Sequence, residues 1–162
     1  MTEIWFDDGL LSVYEDMYPL MEKYGLVGII GVVTSCVGKT FRWQKKWELP
    51  CMNIDQIKHL MNEGWKIASH TVTHRDLTKI SKSEAEWEII ESKLWIITNL
   101  GVEPIALIPP WNRITPELKK YALNYYPRVV NKKRIYFHTV NLPHPSRFNI
   151  KVFEERIRRL AK

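Results

Sequence analysis

Leu26-Val27-Gly28-Ile29-Ile30-Gly31-Val32-Val33 is a continuous apolar run, short and rich in β-branched residues. Such a run reads as a strand buried on both faces, which is the signature of a parallel sheet covered by helices. Working outward, residues 10–24 carry apolar side chains at helical spacing, and Gly25 stops them. Residues 3–6 form a short strand before that helix. On the other side, residues 34–49 read as a loop. Asn53 caps a helix to about residue 62, and Trp65 opens the next strand. A long helix follows over residues 81–99, with Ser81 or Ser83 as cap and Trp87, Ile90, Leu94, Ile97 and Leu100 as its apolar positions. Strands at 103–108, 128–130 and 134–140, a Thr115-Pro116-capped helix and a terminal helix over 150–161 complete the chain. Strand and helix alternate about five times, so the fold class is α/β with a parallel sheet, in a single domain over residues 1–162.

The chain has 162 residues and a net charge of +6, from 24 Lys and Arg against 18 Asp and Glu. The basic excess reads as a solvated face. No basic run is interleaved with aromatics in the manner of a single-strand nucleic-acid groove, so the composition argues against that partner. Cys36 and Cys51 are expected to be free thiols, as in a reducing compartment. No apolar stretch reaches the ~18 residues that span a bilayer, and Glu3, Asp7 and Asp8 are unlike a signal peptide. These features predict a cytoplasmic chain without a membrane partner.

In parallel α/β folds ligands gather at the C-terminal ends of the strands. Asp7-Asp8, His70 with His74, Pro110-Trp111 and His138 all fall at or just beyond such ends. Adjacent carboxylates repel each other. A bound cation gives the pair a purpose, with one carboxylate as ligand and the other free to take a proton. His70 and His74 converge if the segment after their strand turns helically. Two imidazoles and one carboxylate leave coordination positions open, as a hydrolytic site requires. The bland readings are an Asp-Asp turn with Asp8 as a helix cap, and a His138 that merely ends a strand.

Trp5-Phe6-Asp7-Asp8-Gly9, Ser69-His70-Thr71-Val72-Thr73-His74 and Pro109-Pro110-Trp111 resemble, in order, the motifs of the NodB-type polysaccharide deacetylases, a family of carbohydrate esterases. The intervening segments at 53–58, 63–68 and 75–78 resemble that family too. The resemblance implies a distorted (β/α) barrel of about six strands that need not be complete. It also implies a divalent metal, commonly zinc, and hydrolysis of acetyl groups from N-acetylated sugars or another small amide. On this resemblance Asp7 is the catalytic base and Asp8, His70 and His74 are the metal ligands. Pro110 and Trp111 line the substrate groove, and His138 is the acid that protonates the departing amine. His144 is a rival to His138 in a Pro-flanked loop, and His59 reads as a surface residue.

Two positions depart from the family pattern. Ile108 stands where the third motif usually carries an Arg that steadies the base, leaving Arg75 or Arg113 as substitutes. No counterpart of the fourth motif is found. These departures keep open a member that binds glycan without turning it over.

Overall fold

The computed structural model describes residues 3–43, 47–131, 135–137 and 150–161. Four parallel strands form the central sheet: β1 (Ile4–Phe6), β2 (Ile29–Val32), β5 (Lys66–Ser69) and β6 (Ile135–Phe137), in the order β5-β2-β1-β6. The register sets Phe6 beside Ile30 and beside Phe137. Two further segments continue the sheet past β5 through single parallel bridges, Ser69 to Leu107 and Leu107 to Val129. Backbone bonds from Ile108 N–H to the Ser69 carbonyl (2.8 Å) and from Val130 N–H to the Leu107 carbonyl (2.9 Å) hold them in place. The described residues therefore give an open arc of parallel segments. The closed ring of a barrel is not seen among them.

Strand β2 matches the all-apolar reading, since Ile30 and Val32 are fully buried. Gly28 precedes it because nothing larger fits there. A Cβ would come within 2.5 Å of the Trp65 ring and 2.9 Å of Phe6. Those two rings stack with centroids 5.5 Å apart, and Phe153 of α5 (Ile150–Leu160) closes on Phe6 at 6.1 Å. Met17, Met21, Leu60, Ile96 and Ile157 complete this main core.

Three local readings are corrected. Residues 10–24 are not one regular helix: a π-helical turn at Val13–Met17 leads into α1 (Tyr18–Lys23). Pro19 has no N–H to offer the preceding turn, so regular spacing cannot run through it. Residues 34–49 are not all loop. β3 (Thr40–Trp43) pairs antiparallel with β4 (Trp47–Pro50), with Phe41 opposite Leu49. Both of those side chains are buried in a small cluster with Leu10 and Cys51. In α3 (Lys82–Leu100) the buried face is Ala85, Glu88, Ile89, Ser92, Ile96 and Leu100, whereas Trp87 is 51% and Leu94 49% exposed. Two polar residues occupy the inward stripe, so the largest apolar side chains marked the wrong face.

The helix ends are as expected. Asn53 and Gln56 form a capping box on α2 (Ile54–Asn62), and Thr115 caps α4 (Pro116–Ala122). Ser81 and Glu84 cap α3 reciprocally: Ser81 N–H donates to Glu84 at 2.9 Å, and Glu84 N–H donates to the Ser81 hydroxyl oxygen at 3.3 Å. The Ser81 hydroxyl and N–H, followed by Arg75, lower the Glu84 pKa to about 2. A depressed carboxylate stabilises the fold above its ordinary pKa, and that contribution is lost as pH falls through the folded value. The difference in melting temperature between the wild type and Glu84→Ala should therefore shrink from pH 4.5 downward and vanish near pH 2. A difference that stays constant across that window would remove the capping carboxylate from the account.

Cys36 and Cys51 are free thiols. None of the described helices is long and apolar enough to cross a membrane.

Candidate metal centre

The site is built at the C-terminal ends of β1, β2 and β5. After Phe6 the chain passes through Asp7 and turns sharply, with Asp8 at φ 72° and Gly9 at φ 67°. Asp7 and Asp8 are both buried. After Ser69, His70 is tied to the neighbouring strand by its N–H, which donates to the Val32 carbonyl at 2.9 Å. The expected helical turn between His70 and His74 does not form. Thr71 (φ 69°) and His74 (φ 60°) take left-handed conformations, and these bring the imidazoles together with ring centroids 4.7 Å apart.

Asp8 Oδ1 lies 3.4 Å from His70 Nε2 and 3.4 Å from His74 Nε2. Ligands about 2.0–2.2 Å from a tetrahedral ion sit roughly 3.3–3.5 Å from one another. The spacing thus matches one small divalent cation shared by all three residues, and their donor atoms all lie within 4.8 Å of one another. The His70 ring is oriented from behind: its Nδ1–H donates to the Ile108 carbonyl at 2.7 Å, leaving the Nε2 lone pair for an ion. Asp7 Oδ2 stands 3.7 Å from the same Nε2, next to the donor set. Burial opposes a charge on His70 and is the largest single influence. Asp7, Asp8 and the Ile108 carbonyl together outweigh it, so the imidazole pKa is raised.

All the non-glycine residues with positive φ among the described residues are Asp8, Thr71, His74, Trp111 and Asn112. Each conformation costs about 1–2 kcal/mol in an ordinary L-residue, and such outliers cluster where a site dictates the backbone. Local bonds offset the cost in the histidine turn. His74 N–H donates to the Thr71 hydroxyl oxygen at 3.2 Å. Glu88, 1% exposed on α3, accepts the N–H groups of Val72 and Thr73 at 2.8 Å each, together with the Thr73 hydroxyl. One helical turn on, Ser92 accepts the Ser69 hydroxyl at 2.7 Å and donates to the Ile89 carbonyl at 3.0 Å.

Phe41 meets the His74 ring edge-on at 5.2 Å, and Trp111 stands 5.7 Å from it. Trp111 is 43% exposed at the rim, on a 3-10 turn over Pro110–Asn112 whose Pro110 is buried. Phe41, Glu88 and Ser92 were not found from the sequence. The last two had a legible signal, polar residues at i and i+4 beside Ala85 and Ile89. The substitute arginines are engaged elsewhere: Arg75 pairs with Glu84 at 3.1 Å and Arg113 with Asp76 at 3.0 Å. His59 is exposed, as expected, and bonds Tyr14. His138 and His144 lie outside the described residues.

The sequence model for polysaccharide deacetylases matches residues 1–130. The chain belongs to the polysaccharide deacetylase family. A family relative, YxkH of Bacillus subtilis (strain 168), is 29% identical over 119 residues, which is 74% of this chain and 39% of YxkH. Among solved structures, the Streptococcus pyogenes deacetylase PplD in complex with acetate superposes with a TM-score of 0.66 at 24% identity, covering 76% of this chain and 51% of that one. The Bc1960 peptidoglycan N-acetylglucosamine deacetylase gives a TM-score of 0.74 at 18% identity over 98% of this chain and 80% of that one. The chain thus spans well under half of YxkH and about half of PplD. In this polysaccharide deacetylase family member, Ile108 contributes its main-chain carbonyl to His70, while its side chain lies against Gly31, where an added Cβ would meet it at 2.8 Å.

Proposed function

We propose that this family member is a metal-dependent hydrolase that removes acetyl groups from N-acetylated sugars or oligosaccharides. The observation that carries this reading is the convergence of Asp8, His70 and His74 with a second carboxylate, Asp7, directly beside them. Asp8, His70 and His74 would hold the ion, and two nitrogens with one oxygen favour zinc. When bound, such an ion polarises the amide carbonyl and lowers the pKa of water.

The chain's own residues would then divide the proton work. Asp7 takes a proton from the attacking water as the new C–O bond forms at the acetyl carbon. The C–N bond breaks with its electron pair going to nitrogen, and His138 gives that nitrogen a proton, so acetate and a free amine leave. Trp111 is the rim on which the sugar rests, and its backbone N–H donates toward the developing oxyanion. Pro110 is buried beneath it and shapes its turn rather than touching the sugar. The names of the structural relatives support an acetylated-glycan substrate: one is described with acetate and another as acting on peptidoglycan N-acetylglucosamine. The same site acting on a non-sugar amide is a variant of this reading.

A second reading is a member that binds glycan without hydrolysing it. The observation favouring it is the engagement of Arg75 and Arg113 with Glu84 and Asp76, with Ile108 at the arginine position of the third motif. Acetate release from an N-acetylated oligosaccharide by zinc-loaded protein separates the two. The hydrolase reading expects release that stops on chelation and returns when zinc is restored. Release that survives exhaustive chelation would overturn the metal's part. Oligosaccharide binding with no release at any metal loading would establish the second reading instead.

A further inference from the structure

We infer that Glu88, on α3 and outside all the motifs, is the positioning residue that fixes the His70–His74 turn in its ion-binding shape. The inference rests on the metal-centre reading above and extends it to a residue that touches neither ion nor substrate.

Glu88 is 1% exposed, yet its two oxygens receive three donors, all from one two-residue stretch: the N–H of Val72, the N–H of Thr73 and the Thr73 hydroxyl. Three converging donors call for a group that only accepts, and a carboxylate does so. Val72 and Thr73 are two of the three residues between the two candidate ligands. Their flanks, Thr71 and His74, are the left-handed positions that let the imidazoles converge. A turn of this shape does not follow from local preference, since neither flanking residue is Gly. It has to be held, and the carboxylate holds its apex. Ser92, on the same face of α3, secures Ser69, the residue just before His70. One helix thereby braces the histidine turn at two points. Partners of ligand residues commonly govern metal affinity by 10- to 100-fold.

The test compares three variants for zinc affinity, by competition with a chromophoric chelator, and for the visible spectrum of the cobalt-loaded protein. Glu88→Met keeps the volume and removes both acceptors. It is expected to weaken zinc binding 10- to 100-fold and to change the cobalt spectrum. Glu88→Gln keeps one oxygen for the two N–H groups, and its amide N–H can donate to the Thr73 hydroxyl, which turns to accept. It is expected to stay within about threefold of wild type, a rescue that a general packing role does not require. A Met variant with wild-type zinc affinity and cobalt spectrum overturns the inference, even if its melting temperature falls. Should the Met variant fail to fold, Thr73→Val decides: it deletes one donor only, and unchanged zinc affinity there overturns the inference equally. Wild-type protein that binds neither zinc nor cobalt would sink the metal-centre reading itself, whereas tight wild-type binding with no response at Glu88 sinks this inference alone.

Discussion

Asp7→Asn is expected to lower acetate release by two to four orders of magnitude, the usual contribution of a positioned general base, while zinc affinity changes by less than about tenfold. The expectation follows from the separation of roles within the acid pair. Asp8 Oδ1 is equidistant, at 3.4 Å, from the Nε2 atoms of His70 and His74. Asp7 approaches only His70, and at 3.7 Å. An amide at position 7 has the same shape as the carboxylate and fits the same buried space. It lacks the basic lone pair that would accept a proton from water, and it leaves the Asp8-His70-His74 donor set intact. Single-turnover release with zinc-saturated variant, alongside chelator competition for affinity, measures both quantities. Turnover within a few-fold of wild type would remove Asp7 from the role of base. A collapse of zinc affinity would make it a ligand.

Phe6→Ala is expected to cost about 3–5 kcal/mol of stability, the usual range for emptying a buried aromatic site. Phe6 is 0% exposed. It stacks on Trp65 at 5.5 Å, contacts Phe153 at 6.1 Å and helps define the space that keeps residue 28 a glycine. These two rings cannot close the void, because Phe153 is fixed on α5 and Trp65 at the entry to β5. Domains have about 5–15 kcal/mol in all, so the variant should show a large drop in urea midpoint with an unchanged slope. A loss under about 1 kcal/mol would mean that the rings re-pack around the gap, contrary to the close contacts seen here. Because Phe6 immediately precedes Asp7, the variant also couples core packing to the candidate site.

Much of this was legible in the sequence, for identifiable reasons. Residues 26–33 announced a central strand because β-branched runs have few other uses. Asn53, Ser81 and Thr115 announced helix starts because their side chains accept the first orphan N–H groups. The acid pair and the two histidines stood out because such groups at strand ends need a partner. Other features depend on tertiary context. The turn from His70 to His74 is set by Glu88, 14 residues beyond His74, and by left-handed conformations that Thr and His do not advertise. The inward face of α3 was misread because Glu88 and Ser92 are buried to serve the histidine segment, leaving Trp87 outside. The β3–β4 hairpin is not legible because the inward positions described in it, Phe41 and Leu49, are too few to mark an alternation.

The carbonyl of Ile108 has a consequence for how such a centre can drift over generations. His70 is oriented by a main-chain oxygen, which every residue type supplies. Codon 108 can therefore change its side chain, even away from the family's arginine, without withdrawing the hydrogen bond that aims the imidazole. If Asp8, His70 and His74 hold an ion and Asp7 is the base, as proposed, ion retention and tuning of the base are separable at this position. On that proposal, a change of side chain at position 108 would slow acetate release while leaving the grip on the ion intact.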